Sequence, residues 1–134
     1  MAPDPVNVHV AGDVDVVTAR QKGREVAAAV GFKGSDLTLI ATAISEIARN
    51  IVSYADRGEI TLSVASAGVR SGIEIVARDM GPGIPDIAQA MLDGFSTGKS
   101  LGIGLPGAKR LMDDFQIESE IGVGTTVTMR KWLR

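Results

Sequence analysis

Val6, Val8 and Val10 alternate with polar neighbours, the period-two pattern of a strand with one apolar face. Beyond them the period lengthens. Val16, Ala19, Gly23 or Val26, and Val30 recur at near-helical spacing over residues 15–30, and Gly31 stands where such a helix would stop. A second helix is marked more sharply, with Ser35 as its expected N-cap, Asp36 in the first turn, and Leu37, Ile40, Ile44, Ile47 and Ile51 as a stripe of period 3.6. Its end is expected near Tyr54. Asp56-Arg57-Gly58 reads as a turn, after which Ile60, Leu62 and Val64 alternate, as do Ile73, Ile75 and Ala77 beyond a connection from Ser66 to Gly72, so a hairpin is predicted. From Met80 to Gly107 the glycines cluster, around a short apolar helix expected over residues 87–92. A helix from Leu105 to Phe115 and strands over Gln116–Glu120 and Thr125–Trp132 are predicted for the remainder. Strands grouped before and after a block of helices predict an α+β fold, a two-layer α/β sandwich with helices on one face of an antiparallel or mixed sheet.

Composition narrows the function more than the fold. The chain has 134 residues, which fits one domain over 1–134. Its formal net charge of −2 offers no strong field, so neither nucleic acid nor an anionic membrane is an expected partner. With no cysteine there is neither a disulfide framework nor a thiolate metal site. The first ten residues lack the basic start and long apolar stretch of a signal peptide, and no segment approaches about 18 apolar residues, so a cytoplasmic protein is expected.

Two places carry candidate chemistry. At 100° per residue, Leu39, Ala43, Glu46 and Asn50 lie within roughly 60° of one another, beside the isoleucine stripe. This is either a solvated face or a ligand face, on which Ala43 leaves room while Glu46 and Asn50 offer a base and a metal-coordinating oxygen one turn apart. The second place is Asp79-Met80-Gly81-Pro82-Gly83-Ile84, which follows a predicted strand. It is either a Gly-Pro turn with a local aspartate hydrogen bond, or a carboxylate at a strand end with glycines that permit close ligand approach.

Two glycine strings mislead. Gly94 to Ser100 looks like a phosphate-binding P-loop, but its first glycine would have to stand at position 93, where the chain has Asp93, and no strand precedes it. Gly102-Ile103-Gly104-Leu105-Pro106-Gly107 matches the dinucleotide-binding string without the strand that gives that string its meaning. A glycine-rich stretch running into a helix still gathers free backbone N–H groups at a positive helix end, which suits a phosphate.

Glu46-Ile47-Ala48-Arg49-Asn50, Asp79-Met80-Gly81-Pro82-Gly83, Gly102-Ile103-Gly104-Leu105 and Gly122-Val123-Gly124-Thr125 occur in that order. Together they resemble the four boxes of the gyrase, Hsp90, histidine-kinase and MutL (GHKL) ATPase superfamily. Ile44 to Ile51, Gly94 to Thr97 and Gly104 to Asp113 are most similar to the switch kinases of the bacterial stressosome. The resemblance covers nearly the whole chain and implies the Bergerat fold, with a mixed, mostly antiparallel sheet. It also implies ATP and Mg²⁺ as cofactors. Asp79 would accept the adenine amino hydrogen, Gly81 and Gly83 would shape the pocket edge with Ile84 beside them, and Thr125 would support the base. Asn50 would ligate Mg²⁺, while Ser100, Leu101, Gly102, Gly104 and Leu105 would meet the phosphates. Residues 92–101 become a lid, in which Lys99 either reaches a terminal phosphate or stays solvated. Glu46 would be the general base that deprotonates an incoming serine or threonine hydroxyl, within a reaction that is mostly positioning and charge neutralisation.

The same resemblance implies partners: a STAS-domain antagonist or stressosome scaffold protein as substrate, and a phosphatase or effector N-terminal domain activated on release. An ATP-gated binding module of the anti-sigma-factor kind is the alternative, because those relatives share the equivalents of Glu46, Asn50 and Asp79. A domain that no longer binds nucleotide is disfavoured, since every box keeps its key residue. His9 has no upstream helix to present it as a phosphoacceptor, and no transducer domain follows the ATP boxes, so neither a sensor kinase nor a gyrase-like machine is expected. Met112, Phe115 and Trp132 are read as packing residues.

Overall fold

The computed structural model describes residues 4–91 and 104–134. In chain order the elements are β1 (Val6–Val10), α1 (Asp13–Val30), α2 (Ser35–Ala55), β2 (Gly58–Ala67), β3 (Arg70–Asp79), α3 (Ile87–Ala90), α4 (Gly104–Leu111), β4 (Asp114–Glu120) and β5 (Gly124–Trp132). The strands form one sheet in the order β1-β2-β3-β5-β4, and all four ladders between them are antiparallel. Helices α1 and α2 lie on one face, which gives the expected α+β sandwich.

The pattern of apolar residues places these elements, and close backbone approach sharpens them. Gly23 belongs to the apolar stripe of α1 because a Cβ there would come 2.1 Å from Ile44 Cδ1, so the two helices pack in contact at that point. Helix α1 ends as expected at Gly31, whose φ of 125° turns its N–H back to the Ala27 and Ala28 carbonyls and brings Phe32 into the core. At the start of α2 the N-cap is Gly34, one residue before the expected Ser35. Gly34 has φ 56° and ψ −130°, a conformation that only glycine adopts cheaply, and no side chain caps the helix.

The hairpin is tighter than the sequence suggested. Strand pairing runs on to Ala67 and Arg70, leaving a two-residue loop that opens with Gly68 at φ 63°. At the other end of the chain α4 stops at Leu111, so Asp114 and Phe115 belong to β4 and not to the helix. Phe115 satisfies both a helical and an alternating pattern. The sheet wins because β4 pairs along its whole length with β5, and the Asp113 amide already donates to the Arg130 carbonyl at 2.9 Å.

The register lines up side chains across all five strands. One helix-facing row runs Val6, Leu62, Ile75, Met129, Phe115, and the next runs Val8, Ile60, Ala77, Val127, Ile117. Against these rows pack Ile40, Ile44, Ile47 and Ile51 of α2, all buried. Each large apolar side chain so placed stabilises the fold by about 1.5–3 kcal/mol. On the opposite face Trp132 covers Gly72, where a Cβ would meet its ring at 2.9 Å, and Arg70 stacks 4.4 Å from the ring centroid. Trp132, Met112 and Phe115 are thus packing residues, as expected.

Candidate functional site

One row further along the same face, hydrocarbon gives way to polar groups: Val10, Gly58, Asp79, Thr125, Ser119. Asp79 ends β3, and its Oδ1 accepts hydrogen bonds from the Gly81 amide at 2.9 Å and the Thr125 amide at 3.3 Å. The local aspartate turn expected as one alternative is therefore present, at a residue that does end a strand. With Oδ1 occupied by two backbone donors the carboxylate is held in one orientation. Oδ2 takes no hydrogen bond from the described residues.

The glycines after Asp79 are needed for the protein's own packing. A Cβ on Gly81 would stand 2.6 Å from Ala55 Cβ, at the last residue of α2. Gly83 has φ 83°, and a Cβ there would stand 2.6 Å from the Glu120 carbonyl oxygen. The Gly122 amide donates to the Pro82 carbonyl at 2.9 Å, so the loop after β3 is fastened to the turn between β4 and β5. Ile84 packs against the core, and its amide donates to Ser119 Oγ at 2.7 Å. Ser119 also lies 2.8 Å from Thr125 Oγ1, and Thr125 is 5% exposed. Sequence reading missed Ser119. Its alternation with Ile117 was a signal for its face, unused because Phe115 was read into the helix before it, and only the strand register puts it opposite Thr125.

Helix α2 supplies the other half. Ala43 is fully buried in the core, so it does not border an open space, while Asn50 is half-buried. The Glu46 side chain is 3% exposed and pairs with Arg49 Nη1 at 3.3 Å, one turn along. A carboxylate so deep in a helix is costly unless a cation accompanies it, and the half-exposed Arg49 side chain provides one. From Glu46 through Asn50 to Ala55 the helix rises about 13 Å, and at Ala55 it meets Gly81 in the loop after Asp79. One helix thus links the Glu46 and Asn50 side chains to the polar row of the sheet.

Gly104 opens α4 with φ 68°, Leu105 is buried, and α4 packs on α2. Lys99, Ser100, Leu101 and Gly102, with the expected lid over 92–101, lie outside the described residues. Among the described residues no group of three or more histidine, cysteine, aspartate or glutamate side chains could hold a metal ion. Also among them, no helix is long and apolar enough to cross a membrane.

Comparison with known proteins agrees with this fold. The chain is 50% identical over 127 residues to the serine/threonine-protein kinase RsbT of Bacillus subtilis, covering 95% of this chain and 96% of that one. It is 34% identical over 104 residues to the anti-sigma F factor of Geobacillus stearothermophilus, covering 72% and 69% of the two chains. The solved structure of the RsbU and RsbW domains of a Mycobacterium tuberculosis protein superposes with a TM-score of 0.69 at 21% identity, over 98% of this chain and 34% of that one. The chain therefore spans about a third of that solved chain and shares its fold. Residues 11–131 match the family described as Histidine kinase-like ATPase domain, and the chain belongs to that family.

Proposed function

We propose that this chain is a serine/threonine protein kinase of a partner-switching pathway, which transfers the terminal phosphoryl group of ATP to a protein. The observation that carries this reading is the 50% identity to RsbT over nearly the full length of both chains. The anti-sigma factors match less closely and over less of the chain. The match over residues 11–131 supports treating residues 1–134 as one kinase domain.

The residues present fit a nucleotide. Asp79, with Oδ1 fixed by two amides, offers Oδ2 as acceptor for the adenine amino group. Gly81, Gly83 and Ile84 form the strip of backbone beside the base, and Thr125 stands next to Asp79 on the adjoining strand. The distance along α2 suits a base at the Ala55 end and a terminal phosphate at the Glu46 end. Gly104 and Leu105 begin the helix whose N-terminal amides would meet phosphate, together with Lys99, Ser100, Leu101 and Gly102. Asn50 would contribute one oxygen to Mg²⁺, a metal that takes few protein ligands beside substrate phosphates and supplies charge neutralisation there. Glu46 would take the proton from the incoming hydroxyl as that oxygen bonds to the terminal phosphorus and the bond to the ADP oxygen breaks.

Its partners are proposed as STAS-domain antagonists or stressosome scaffold proteins, with a phosphatase or effector domain engaged on release, and its location as the cytoplasm. The anti-sigma factor relatives support a second reading, an ATP-gated binding module in which transfer is secondary. Incubation with γ-labelled ATP, Mg²⁺ and candidate STAS-domain proteins separates the two. Label should reach serine or threonine, and Glu46→Gln should slow transfer by about 10²–10⁴-fold. Tight partner binding without transfer would support the binding module.

A further inference from the structure

The sheet ends in two edges of different make. Strand β1 is five residues long, follows Pro5, and has α1 packed on it, with Val8 and Val10 at 6% and 0% exposure. Strand β4 is seven residues long, has no proline and pairs with β5 in unbroken register. Among the described residues β5 is its only strand neighbour, so its far side presents backbone N–H and C=O groups as a template for another strand. Exposed and half-buried residues alternate along β4. On the helix side Phe115 and Ile117 reach the core yet stay partly exposed, at the rim of the layer in which α1 and α2 lie over β1, β2, β3 and β5. On the outer face Asp114, Gln116, Glu118 and Glu120 are all exposed, and none is a cation. Asp114 accepts the Trp132 ring N–H at 2.9 Å, whereas the Glu118 and Glu120 carboxylates have no hydrogen-bond or ion-pair partner among the described residues.

These charges decide which strand the edge accepts, since opposite charges facing each other across a ladder attract and like charges repel. A second copy of β4, laid antiparallel with Ile117 opposite Ile117, sets Asp114 against Glu120; with Glu118 opposite Glu118, two carboxylates meet directly. The β1 edge of a second copy offers no lysine or arginine to meet them. We propose that the β4 edge is a docking site for an extended segment of a partner protein that carries lysine or arginine on one face and apolar residues on the other. Added beside β4, such a segment pairs the open backbone groups and sets its cations against Glu118 and Glu120. Its apolar residues continue the helix-side rows past Phe115 and Ile117. Beyond Glu120 it meets Ile121 and Val123, 69% and 57% exposed on the turn between β4 and β5. None of the outer-face side chains belongs to the nucleotide site proposed above, so the docking edge stands or falls apart from it.

The probe is a fluorescein-labelled peptide of alternating lysine and valine with blocked termini, as long as β4, titrated into the full-length chain and followed by anisotropy. Binding should slow hydrogen exchange at the amides of Asp114–Glu120 and leave those of Val6–Val10 unchanged. Glu118→Lys combined with Glu120→Lys should weaken binding by about tenfold or more at low salt. Should that variant not fold, Glu118→Gln with Glu120→Gln should weaken it several-fold. Strand addition also has a signature that charge alone lacks. Methylating one alternating set of the peptide's backbone nitrogens should abolish binding, while methylating the other set should not, because only one set faces β4. Equal binding after charge reversal, equal effects of the two methylated sets, or protection outside β4 would mean loose attraction to an acidic surface and would overturn the proposal. No binding at all would leave the acids as guards against self-pairing, and overturn it too. A concentration-dependent dimer in sedimentation, abolished by a β4 substitution such as Ile117→Pro, would assign the edge to a second copy and count equally against it.

Discussion

Two adjacent rows of the same sheet face are built on opposite principles. Val8, Ile60, Ala77, Val127 and Ile117 form a continuous hydrocarbon strip, while two residues along each strand the row is Val10, Gly58, Asp79, Thr125 and Ser119. Both rows face the helices, and both are positioned by the same ladders. The first gains its value from being dry and close-packed, so any atom removed leaves a void. The second gains its value from direction, because each polar atom must point at a partner. The strands thus pack hydrocarbon in one row and orient polar groups in the next, and a single register satisfies both.

The contrast can be broken from either side. The largest expected effect is on the apolar side: Ile75→Ala in the row next to Ala77 should destabilise the fold by about 2–5 kcal/mol in chemical denaturation. The nucleotide affinity of the folded fraction should stay the same. On the polar side, Asp79→Asn keeps the Oδ1 acceptor for its two amides but turns Oδ2 into a donor. Affinity for ATP should fall by roughly 10–100-fold with little change in the denaturation midpoint. An equal loss of stability in both variants would mean that the two rows form one cooperative unit and that the division is false. The smallest effect belongs to the outer face. Thr128→Val, half-buried on the side away from the helices, should change stability by no more than about 0.5 kcal/mol and leave nucleotide affinity alone.

The sequence was most readable where one period dominates. The isoleucine stripe located α2 and its buried side, and the alternations at Ile60 and Ile73 located the hairpin. It was least readable where two patterns coincide, as at Phe115, or where the decisive fact is a contact across the fold. Ser35 looked like a cap because its side chain is suited to one, yet the backbone at Gly34 determines where the helix begins. Glu46, Asn50, Asp79 and Thr125 were legible as motif members. Their company was not: the Arg49 ion pair, the Gly81 contact with Ala55 and the Ser119 contact with Thr125 depend on helix orientation and strand register.

The order β3-β5-β4 has a consequence for how the protein can change. Ile84 is tied to Ser119 and Pro82 to Gly122, so the chain leaves the polar row and returns to it at the same place. Between these two fastenings the chain is anchored again, by Leu105, Ala108 and Met112 in the core. Insertions or deletions ahead of Gly104 that spare those three side chains would leave the polar row its two fastenings. A lineage, or an engineer, can therefore vary the stretch before α4 more freely than α4 itself.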